Sequence, residues 1–531
     1  MFRNKSVSVH QFAMVPRADI PRSSFRMQTT HKTTFDSGYL IPVYVDEVLP
    51  GDSFNLKMTA FARLTTPLYP VMDNLVMESF FFFVPNRLTW SNWKKFQGEQ
   101  ATPASSISYT VPQMVSKASG YDIGSLQDYM GLPTLGQLTA AQTVSHNALP
   151  VRAYNLIWNE WFRDENLQDS VVVDTGDAAS VYTDYVLLRR GKRHDYFTSA
   201  LPWPQKGSTA VSIPLGTSAP IHVQSGGTAG KAPGVYSDSA AAYKALDAGG
   251  SLVTISASSP DTNANLYADL STATAATINQ LRQSFAIQRL LERDARGGTR
   301  YVEALQARFG VRPQDARLQR PEYLGGGRTS VNISPIAQSS ASGLTGSATP
   351  LGNLAAMGTS VLRDNGFNHS FPEHGYVIGL ISVRADLTYQ QGLRKMWSRS
   401  TRYDFYEPVF SHLGEQTILN RELYCKGDGV ADDAAVFGYQ ERWAEYRYFP
   451  SMITSQFRST AAGTLDGWHL AQKFTSLPTL NTTFIQDTPP VSRVLAVTLT
   501  TPSQFYFDSF IDIKAARPLP MYSVPGLIDH F

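Results

Sequence analysis

The sequence predicts a mainly β protein, a β-sandwich with long inserted loops and a few helices. Residues 39–49, 53–64 and 74–84 are apolar, β-branched and aromatic segments separated by breaks containing Pro and Gly. The second segment alternates apolar and polar residues, which is typical of a strand with one wet face. The third contains four consecutive phenylalanines, Phe80 to Phe83. Because successive strand residues point to opposite faces, these rings need cover on both sides of the sheet.

The composition allows a large core and excludes a generally polybasic protein. Of 531 residues, 42% are hydrophobic and 11% aromatic, whereas 17% are charged, below the usual quarter of a globular protein. The formal net charge is +2. Contact with nucleic acid therefore requires a local basic patch rather than the overall charge.

The single cysteine, Cys425, excludes an intramolecular disulfide framework and fits a reducing compartment. With no catalytic histidine motif beside it, we expect a structural cysteine.

The N-terminal residues lack the apolar region of a signal peptide. The phenylalanine run is too short to cross a membrane. We therefore expect a soluble protein that is made in the cytoplasm.

Residues 1–38 are predicted to form an extended basic arm. Prolines at 16 and 21 disfavour a helix. The segment has six basic residues and only two acidic ones. The basic residues are Arg3, Lys5, Arg17, Arg22, Arg26 and Lys32. Two readings stay open: a disordered or subunit-wrapping tail, and an arm that touches phosphate.

The next elements are predicted to be helices separated by a surface excursion at 99–148. Trp90 and Trp93 would share one face of a short helix. Residues 150–162 have an apolar stripe at helical spacing that includes Trp158 and Trp161. We expect this stripe to be core or interface rather than a ligand box.

Residues 171–188 are predicted to form a further strand, and the densest basic cluster of the chain follows it. The cluster consists of Arg189, Arg190, Lys192, Arg193 and His194. It is either a solvated turn, a salt-bridged subunit contact, or a phosphate-binding site in which Lys and Arg displace counterions.

Residues 205–278 differ from the rest because Ala, Ser, Thr and Gly dominate them. Since loops of this length are usually functional or disordered, we expect a small β-rich insertion that projects toward a partner. A helical segment at about 279–310 follows. Residues 321–360 return to Gly and Ser, and their GGGR sequence lacks the Walker spacing.

Four later segments and the tail complete the predicted elements. Strands are expected at 376–387, 436–448, 493–500 and 504–517. The Pro-rich, apolar tail after residue 517 is expected to dock on a neighbouring surface.

No constellation of residues predicts catalysis, a metal site or a cofactor. Two groups were weighed as metal ligands: His369, Glu373 and His374; and Asp428, Asp432 and Asp433. The first has no HExxH spacing, and the second lacks the EF-hand spacing. No GxSxG motif occurs and no Ser/His/Asp order is compelling. We therefore predict a protein that is not an enzyme.

Several long segments, matching in order, resemble the major capsid proteins of gokushoviruses, which are small single-stranded-DNA bacterial viruses of the Microviridae. These segments are residues 4–27, 38–64, 73–99, 288–326, 365–399 and 401–410. The resemblance covers nearly the whole chain and fails mainly in 205–278, where such proteins vary most.

The resemblance implies an eight-stranded antiparallel jelly roll over 39–531 with long inserted loops. It also implies a T=1 icosahedral shell of 60 copies around circular single-stranded DNA, with the insertion at about 205–278 forming threefold protrusions for host recognition. The implied partners are further copies at fivefold, threefold and twofold contacts, an internal scaffolding protein, a DNA pilot protein, a small basic DNA-binding protein, the packaged DNA and a host receptor. No membrane insertion is expected, and the implied location is the virion capsid, assembled in the bacterial cytoplasm.

The charge of such a shell is too small to neutralise its genome. Sixty copies at +2 carry about 120 positive charges, whereas three nucleotides for each of 531 residues already require about 1,593 phosphates. Basic proteins, polyamines or metal ions must supply the rest. The candidate DNA-facing residues are Arg3, Lys5, Arg17, Arg22, Arg26, Arg189, Arg190, Lys192 and Arg193.

A carbohydrate-binding, lectin-like jelly roll is the alternative function, because lectins share this fold. Trp90, Trp93, Trp158 and Trp161 would serve as sugar platforms if their rings were exposed.

Overall fold

The structure of the chain is a computed structural model. It describes residues 21–106, 108–207, 221–223, 234–237, 242–249, 252–255, 266–268, 278–298, 300–310, 319–339, 352–427, 430–496 and 502–522. Candidate residues Arg3, Lys5, Arg17 and Asp428 lie outside these ranges.

The strands of the described part are numbered in chain order. They are β1 (Ser23–Phe35), β2 (Ile41–Val48), β3 (Ser53–Leu64), β4 (Leu75–Pro85), β5 (Gln113–Val115), β6 (Ser145–Asn147), β7 (Ile221–Val223), β8 (Gly234–Ser237), β9 (Ala242–Gly249), β10 (Leu252–Ile255), β11 (Leu266–Ala268), β12 (Glu322–Ala337), β13 (Leu354–Ser370), β14 (Gly375–Ala385), β15 (Glu415–Leu419), β16 (Val436–Glu441) and β17 (Phe505–Arg517).

The α-helices of the same residues are mostly single turns. They are α1 (Asn86–Thr89), α2 (Trp93–Phe96), α3 (Leu126–Tyr129), α4 (Leu149–Ile157), α5 (Ile278–Gly297), α6 (Tyr301–Phe309), α7 (Asn420–Leu423), α8 (Ala431–Ala434) and α9 (Thr482–Ile485). Helix α4 continues as one turn of π-helix over Trp158–Phe162. The helices predicted over 150–162 and at about 279–310 are present, the first as α4 with its π-helical turn and the second as α5 and α6. No helix of the described ranges is long and apolar enough to span a membrane.

The fold is mainly β, as predicted, and is built on one antiparallel sheet of eight strands. The strand order is β1-β17-β3-β13-β12-β4-β14-β2. The sheet is nearly closed, because its two outermost strands contribute to one core: Phe35 of β1 and Ile41 of β2 belong to the same buried cluster as Phe81 of β4. Within this core the ring centroid of Phe81 lies 5.6 Å from that of Phe367 in β13, and the ring centroid of Phe83 lies 4.9 Å from that of Phe371. This arrangement is consistent with a jelly-roll sandwich.

Strands β12 and β13 connect the two halves of the sandwich. The first part of β12 pairs with β4 and its last part with β13, whose later residues pair with β3. A Cβ on Gly325 would lie 2.5 Å from the carbonyl oxygen of Gly366, and one on Gly326 would lie 2.0 Å from that of Ser79. The Gly run therefore lets backbones approach closely. Sequence analysis missed both strands, since they fall largely in the Gly- and Ser-rich stretch at 321–360.

The phenylalanine run is covered on both faces, as predicted. Phe81 and Phe83 belong to the core between the two halves of the sheet. Phe82 and Val84 belong to a second core, which α4 and the neighbouring loops form together with Trp90. The outer face of β4 is therefore sealed by loops and a helix rather than by a second sheet.

Several predicted segments differ from the structure. Residues 171–188 contain no strand, and neither do the described residues 493–496; the segment 436–448 is a strand only over Val436–Glu441. Conversely, the predicted arm at 1–38 contains β1, which pairs with β17 along its whole length. The predictions over 39–49, 53–64, 74–84, 376–387 and 504–517 match strands β2, β3, β4, β14 and β17.

The chain divides into two compact units. One consists of Met1–Pro204 and Thr299–Phe531, and the other of Gln205–Gly298. The described strands β7 to β11 and helix α5 belong to the second unit. The predicted insertion at 205–278 lies within it, and the unit extends further to include α5.

Candidate nucleic-acid interface

The basic cluster at 189–193 lies on a backbone segment that is fixed from two sides. The amide of Arg190 donates to the carbonyl of Gly38 (2.8 Å), and the amide of Lys192 donates to the carbonyl of Ile485 (2.7 Å). The segment therefore bridges the residues before β2 and those after α9. Its side chains are held in place by main-chain hydrogen bonds rather than by a regular strand.

Arg189 is used inside the molecule. Its guanidinium lies 3.9 Å from the ring centroid of Tyr39 and donates to the hydroxyl of that residue (2.8 Å) and to the carbonyl of Asp487 (3.1 Å). Gly38 has φ of +81°, and a Cβ there would lie 2.0 Å from the same carbonyl. The close packing of these three segments requires glycine at this position.

Arg190 and Arg384 share one buried carboxylate, that of Glu78 in β4. Arg190 forms an ion pair with it, and Nε of Arg384 lies 3.0 Å from its Oε2. Burial raises the pKa of Glu78, but the two guanidinium groups outweigh burial and hold the pKa below its usual value. Arg190 also lies 4.8 Å from the centroid of the Phe80 ring.

Lys192 and Asp487 are the most deeply buried charges of the site. Lys192 is 8% exposed and lies 4.5 Å from the Phe484 ring centroid. Burial lowers the pKa of Lys192 to about 8, although Asp487 opposes this shift. Burial raises the pKa of Asp487 to about 7, against the effect of the surrounding cations. Lys192 is too enclosed to reach a phosphate without a structural change.

Arg193 is the most accessible cation of the four. It pairs with Asp386, and the two side chains are 39% and 35% exposed. Asp386 also accepts a hydrogen bond from the side-chain amide of Asn74 (3.1 Å). His194, next in the chain, is exposed.

An aromatic wall stands beside these cations. Trp161 and Tyr323 are 38% and 44% exposed, and their ring centroids lie 6.1 Å apart. Both rings contact Phe82, at 5.6 and 5.5 Å. Together the aromatic and basic side chains line a cavity of about 570 Å³, formed by Phe80, Phe82, Trp161, Phe162, Arg190, Gly191, Lys192, Arg193, His194, Tyr323 and Arg384.

This combination can hold one nucleotide base. Exposed aromatic faces stack on any base, and guanidinium groups at the rim stack or bind phosphate. The carboxylates of Glu78 and Asp386 compensate much of the local positive charge. The site therefore favours a base contact supported by one or two phosphates, and it is not a strongly basic groove.

Arg22 and Arg26 of the predicted basic arm lie at or near the start of β1, and the basic cluster lies beyond its other end. Arg22 donates to the carbonyl of Gly51 (2.5 Å) and to Ser53 (2.9 Å), and exposed Arg26 pairs with Asp512 (2.9 Å). The other end of β1 leads to Gly38, beside the cluster. At about 3.3 Å per residue, the strand from Arg26 to Phe35 spans roughly 30 Å.

Sequence reasoning missed three residues of the site. Arg384, Trp161 and Tyr323 come from three distant parts of the chain, and only the fold brings them to the cluster. Trp161 was assigned to core or interface from its helical spacing. A signal for its exposure was its position at the last turn of that helix, where the apolar stripe runs out.

The tryptophans predicted as sugar platforms are mostly inaccessible. Trp90 is fully buried, Trp158 is 4% exposed, and Trp93 is half-buried. Only Trp161 of these four presents a substantial exposed face. The observation that motivated a lectin-like function is therefore removed.

The two groups weighed as metal ligands have other roles. Glu373 pairs with Arg87 (2.8 Å), and His369 lies 3.7 Å from Glu322. Asp433 accepts the amides of Lys426 and Gly427. Within the described ranges, no cluster of three His, Cys, Asp or Glu residues could hold a metal ion.

Comparison with known proteins gives a consistent result over almost the whole sequence. The family model described as capsid protein (F protein) matches residues 13–527. Capsid protein VP1 of Bdellovibrio phage phiMH2K is 46% identical over 535 residues, and that of Chlamydia phage 1 is 44% identical over 604. Capsid protein VP1 of Spiroplasma virus 4 is 35% identical over 556 residues. Each alignment covers 98% of this chain and 98% of the relative.

Proposed function

The chain belongs to the capsid protein (F protein) family of the Microviridae, and we propose that 60 copies of it form a T=1 icosahedral shell around circular single-stranded DNA. It is a capsid protein of a phage, and its copies assemble into the virion shell. Its role is structural rather than enzymatic, as the names of its relatives state. The observation that carries the proposal is a full-length match to capsid proteins in a chain that folds as a jelly-roll sandwich.

Electron microscopy tests the shell. The purified protein, mixed with its internal scaffolding protein, should form closed particles whose reconstructed map contains 60 copies. A protein that stays strictly monomeric under all assembly conditions would contradict the proposal. Closed particles with another copy number would contradict only the T=1 arrangement of 60 copies, and not the assembly of a shell.

The unit that contains the 205–278 insertion is assigned to host recognition, as threefold protrusions. Two observations support this role. Its residues form a compact unit separate from the sandwich, Gln205–Gly298. Its composition, dominated by Ala, Ser, Thr and Gly over 205–278, also departs from that of the rest of the chain.

The cavity beside 189–193 is assigned to the packaged DNA. Its exposed rings and the accessible Arg193 fit a stacked base with a neighbouring phosphate. The basic arm, including Arg22 and Arg26, is assigned to the same ligand at a separate place. Because the net charge of the shell falls far short of the genome's phosphates, other cations must supply the rest, and a small basic DNA-binding protein is assigned as one source of them. The DNA pilot protein and a host receptor complete it.

Replacing the accessible groups tests the DNA contact. Arg193→Gln combined with Trp161→Leu should lower the DNA content of purified particles while shells still form, because one stacking and one ionic contact are lost. Val181→Ser, on an exposed side chain outside the cavity, is the control. The ratio of absorbance at 260 and 280 nm measures the DNA. Unchanged DNA content in the double variant would reject this assignment.

A further inference from the structure

A second surface, outside the cavity described above, exposes an unusual number of large apolar side chains. We name it the aromatic patch and define it by Trp397, Tyr403, Phe405, Tyr406, Tyr446 and Phe449. Trp397 is 70% exposed and Phe449 is 77% exposed. Val409, which is 85% exposed, precedes Phe410, whose ring centroid lies 6.1 Å from that of Tyr403. Scattered apolar residues are normal on protein surfaces, but a concentration of large rings is not.

The rings of the patch form one surface rather than a scatter. The guanidinium carbon of Arg399 lies 4.6 Å from the ring centroid of Tyr446 and 5.6 Å from that of Phe405. Tyr406 and Tyr446 lie 6.3 Å apart. Trp397 and Tyr446 line the same cavity, of about 510 Å³, which opens within the patch.

The size of the patch matches what a specific protein interface needs. Six aromatic side chains at 48% to 77% exposure, each with roughly 200 Å² of surface, present on the order of 700 Å² of apolar area. A stable complex buries about 800 Å² per partner. The largest apolar patch on a typical monomer is about 300 to 600 Å².

The carboxylates in the cavity of the patch are paired with its cations. Arg399 is paired with Glu445 at 3.1 Å, and both side chains are 11% exposed. Glu422, 5% exposed, lies 3.7 Å from Lys395 and accepts a hydrogen bond from Tyr196 (2.9 Å). A further arginine of the cavity lining, Arg394, lies 4.1 Å from the ring centroid of Phe449. Aromatic rings with arginine are the composition of a protein interface core.

We propose that the aromatic patch binds a second copy of this chain within the shell. The inference depends on the proposed function, because it assigns one of the contacts that shell assembly requires. A second copy is the partner that every subunit of a shell must contact, and the patch has the area and the aromatic and arginine composition that such a contact needs. The cavity beside Trp397 would receive an apolar side chain of the neighbouring subunit.

Removal of two rings tests the contact energetically. Trp397→Ser combined with Phe449→Ser should raise the protein concentration needed for half-maximal assembly by at least about tenfold, as expected for aromatic hot spots. Phe309→Ser is the matched control, since Phe309 is 72% exposed and lies outside the patch. Unchanged assembly of the double variant, with folding verified by circular dichroism, would overturn the proposal.

A labelling experiment identifies the occupant. Val409→Cys, in a Cys425→Ser background that removes the exposed native thiol, reports the accessibility of the patch to a maleimide. In empty shells, labelling should fall at least about tenfold relative to unassembled protein. Equal labelling would overturn the proposal. Protection only in DNA-filled particles would assign the patch to nucleic acid. Protection only with bound scaffolding protein would assign the patch to that protein. Either outcome would overturn the proposal.

The two proposals fail in different ways. If shells form while Val409→Cys stays reactive, only the assignment of the patch is wrong. If the unmodified protein forms no shells under any condition, the proposed function is wrong, and the patch assignment falls with it.

Discussion

Arg152 shows how a single side chain replaces regular secondary structure. It is fully buried on α4 and donates to three backbone carbonyls, those of Thr89 (3.2 Å), Gly176 (2.9 Å) and Ala178 (3.0 Å). It also pairs with Asp174 (2.8 Å). Two carbonyls of the loop after α4, those of Gly176 and Ala178, therefore pair with one guanidinium rather than with a neighbouring strand, which fits the absence of the strand predicted at 171–188.

Replacement of Arg152 by Met should destabilise the protein by about 3 kcal/mol or more, because one buried and two partly buried carbonyls and the Asp174 carboxylate would lose their donor. Urea unfolding followed by tryptophan fluorescence measures the change. Arg26→Gln removes an arginine from an exposed ion pair and should leave the unfolding midpoint unchanged. Equal midpoints for the two variants would contradict the role given to Arg152.

Asp487 should make stability depend on pH in the opposite direction to an ordinary paired carboxylate. Its folded pKa is about 7, above the ordinary 3.8. The folded protein therefore keeps a proton that the unfolded chain releases, so stability falls as pH rises from about 4 to 7. Lys192, with its pKa lowered to about 8, opposes this only in alkaline solution, where stability rises between about 8 and 10.5.

The stability of the Asp487→Asn variant should lack the fall between about pH 4 and 7 that Asp487 causes. Between pH 5 and 7, the wild-type protein should lose about 2 kcal/mol of stability relative to the variant. Urea unfolding at a series of pH values measures this difference. Parallel profiles for the two proteins would show that Asp487 is ionised throughout the range.

At the scale of the element, β4 is the strand that holds the fold together. It pairs with β12 on one side and β14 on the other, and both of its faces are buried. Its inward side chains belong to the sandwich core and its outward ones to the core beneath α4. Through Glu78, the same strand also positions Arg190 and Arg384 of the candidate DNA site.

Truncation of either face of β4 should therefore be costly. Phe81→Ala and Phe82→Ala should each destabilise the protein by about 3 to 5 kcal/mol, since each removes a fully buried ring. Phe61→Ala, on the exposed face of β3, is the control and should change stability by less than about 0.5 kcal/mol. Thermal melting compares the three variants. A Phe82→Ala variant as stable as the control would mean that the loop-built core contributes little.

At the scale of the molecule, the strands of the sandwich supply most of the stability. The long connections between the strands carry the surfaces that we propose contact other molecules. The strands of the sandwich position the candidate DNA cavity, and neither this cavity nor the aromatic patch is needed to close the sheet.

Deletion of residues 210–275 should leave shells intact and change adsorption to host cells. No described side chain of this stretch belongs to the sandwich core. The melting temperature of the deletion variant should therefore stay close to that of the full chain. Electron microscopy and an adsorption assay give the two readouts. Loss of soluble folding would instead assign the insertion a part in the core.

The sequence by itself determined the fold class, the strands with strong apolar patterns and, through its resemblance, the capsid family. Strands β2, β3, β4, β14 and β17 were predictable because each carries its own hydrophobic pattern. The tertiary structure alone decided the rest. Strands β12 and β13 form because glycines let backbones approach closely, and the candidate DNA cavity exists because Trp161, Tyr323 and Arg384 converge. Local patterns cannot encode such contacts, since their energy comes from partners that lie far away in the chain.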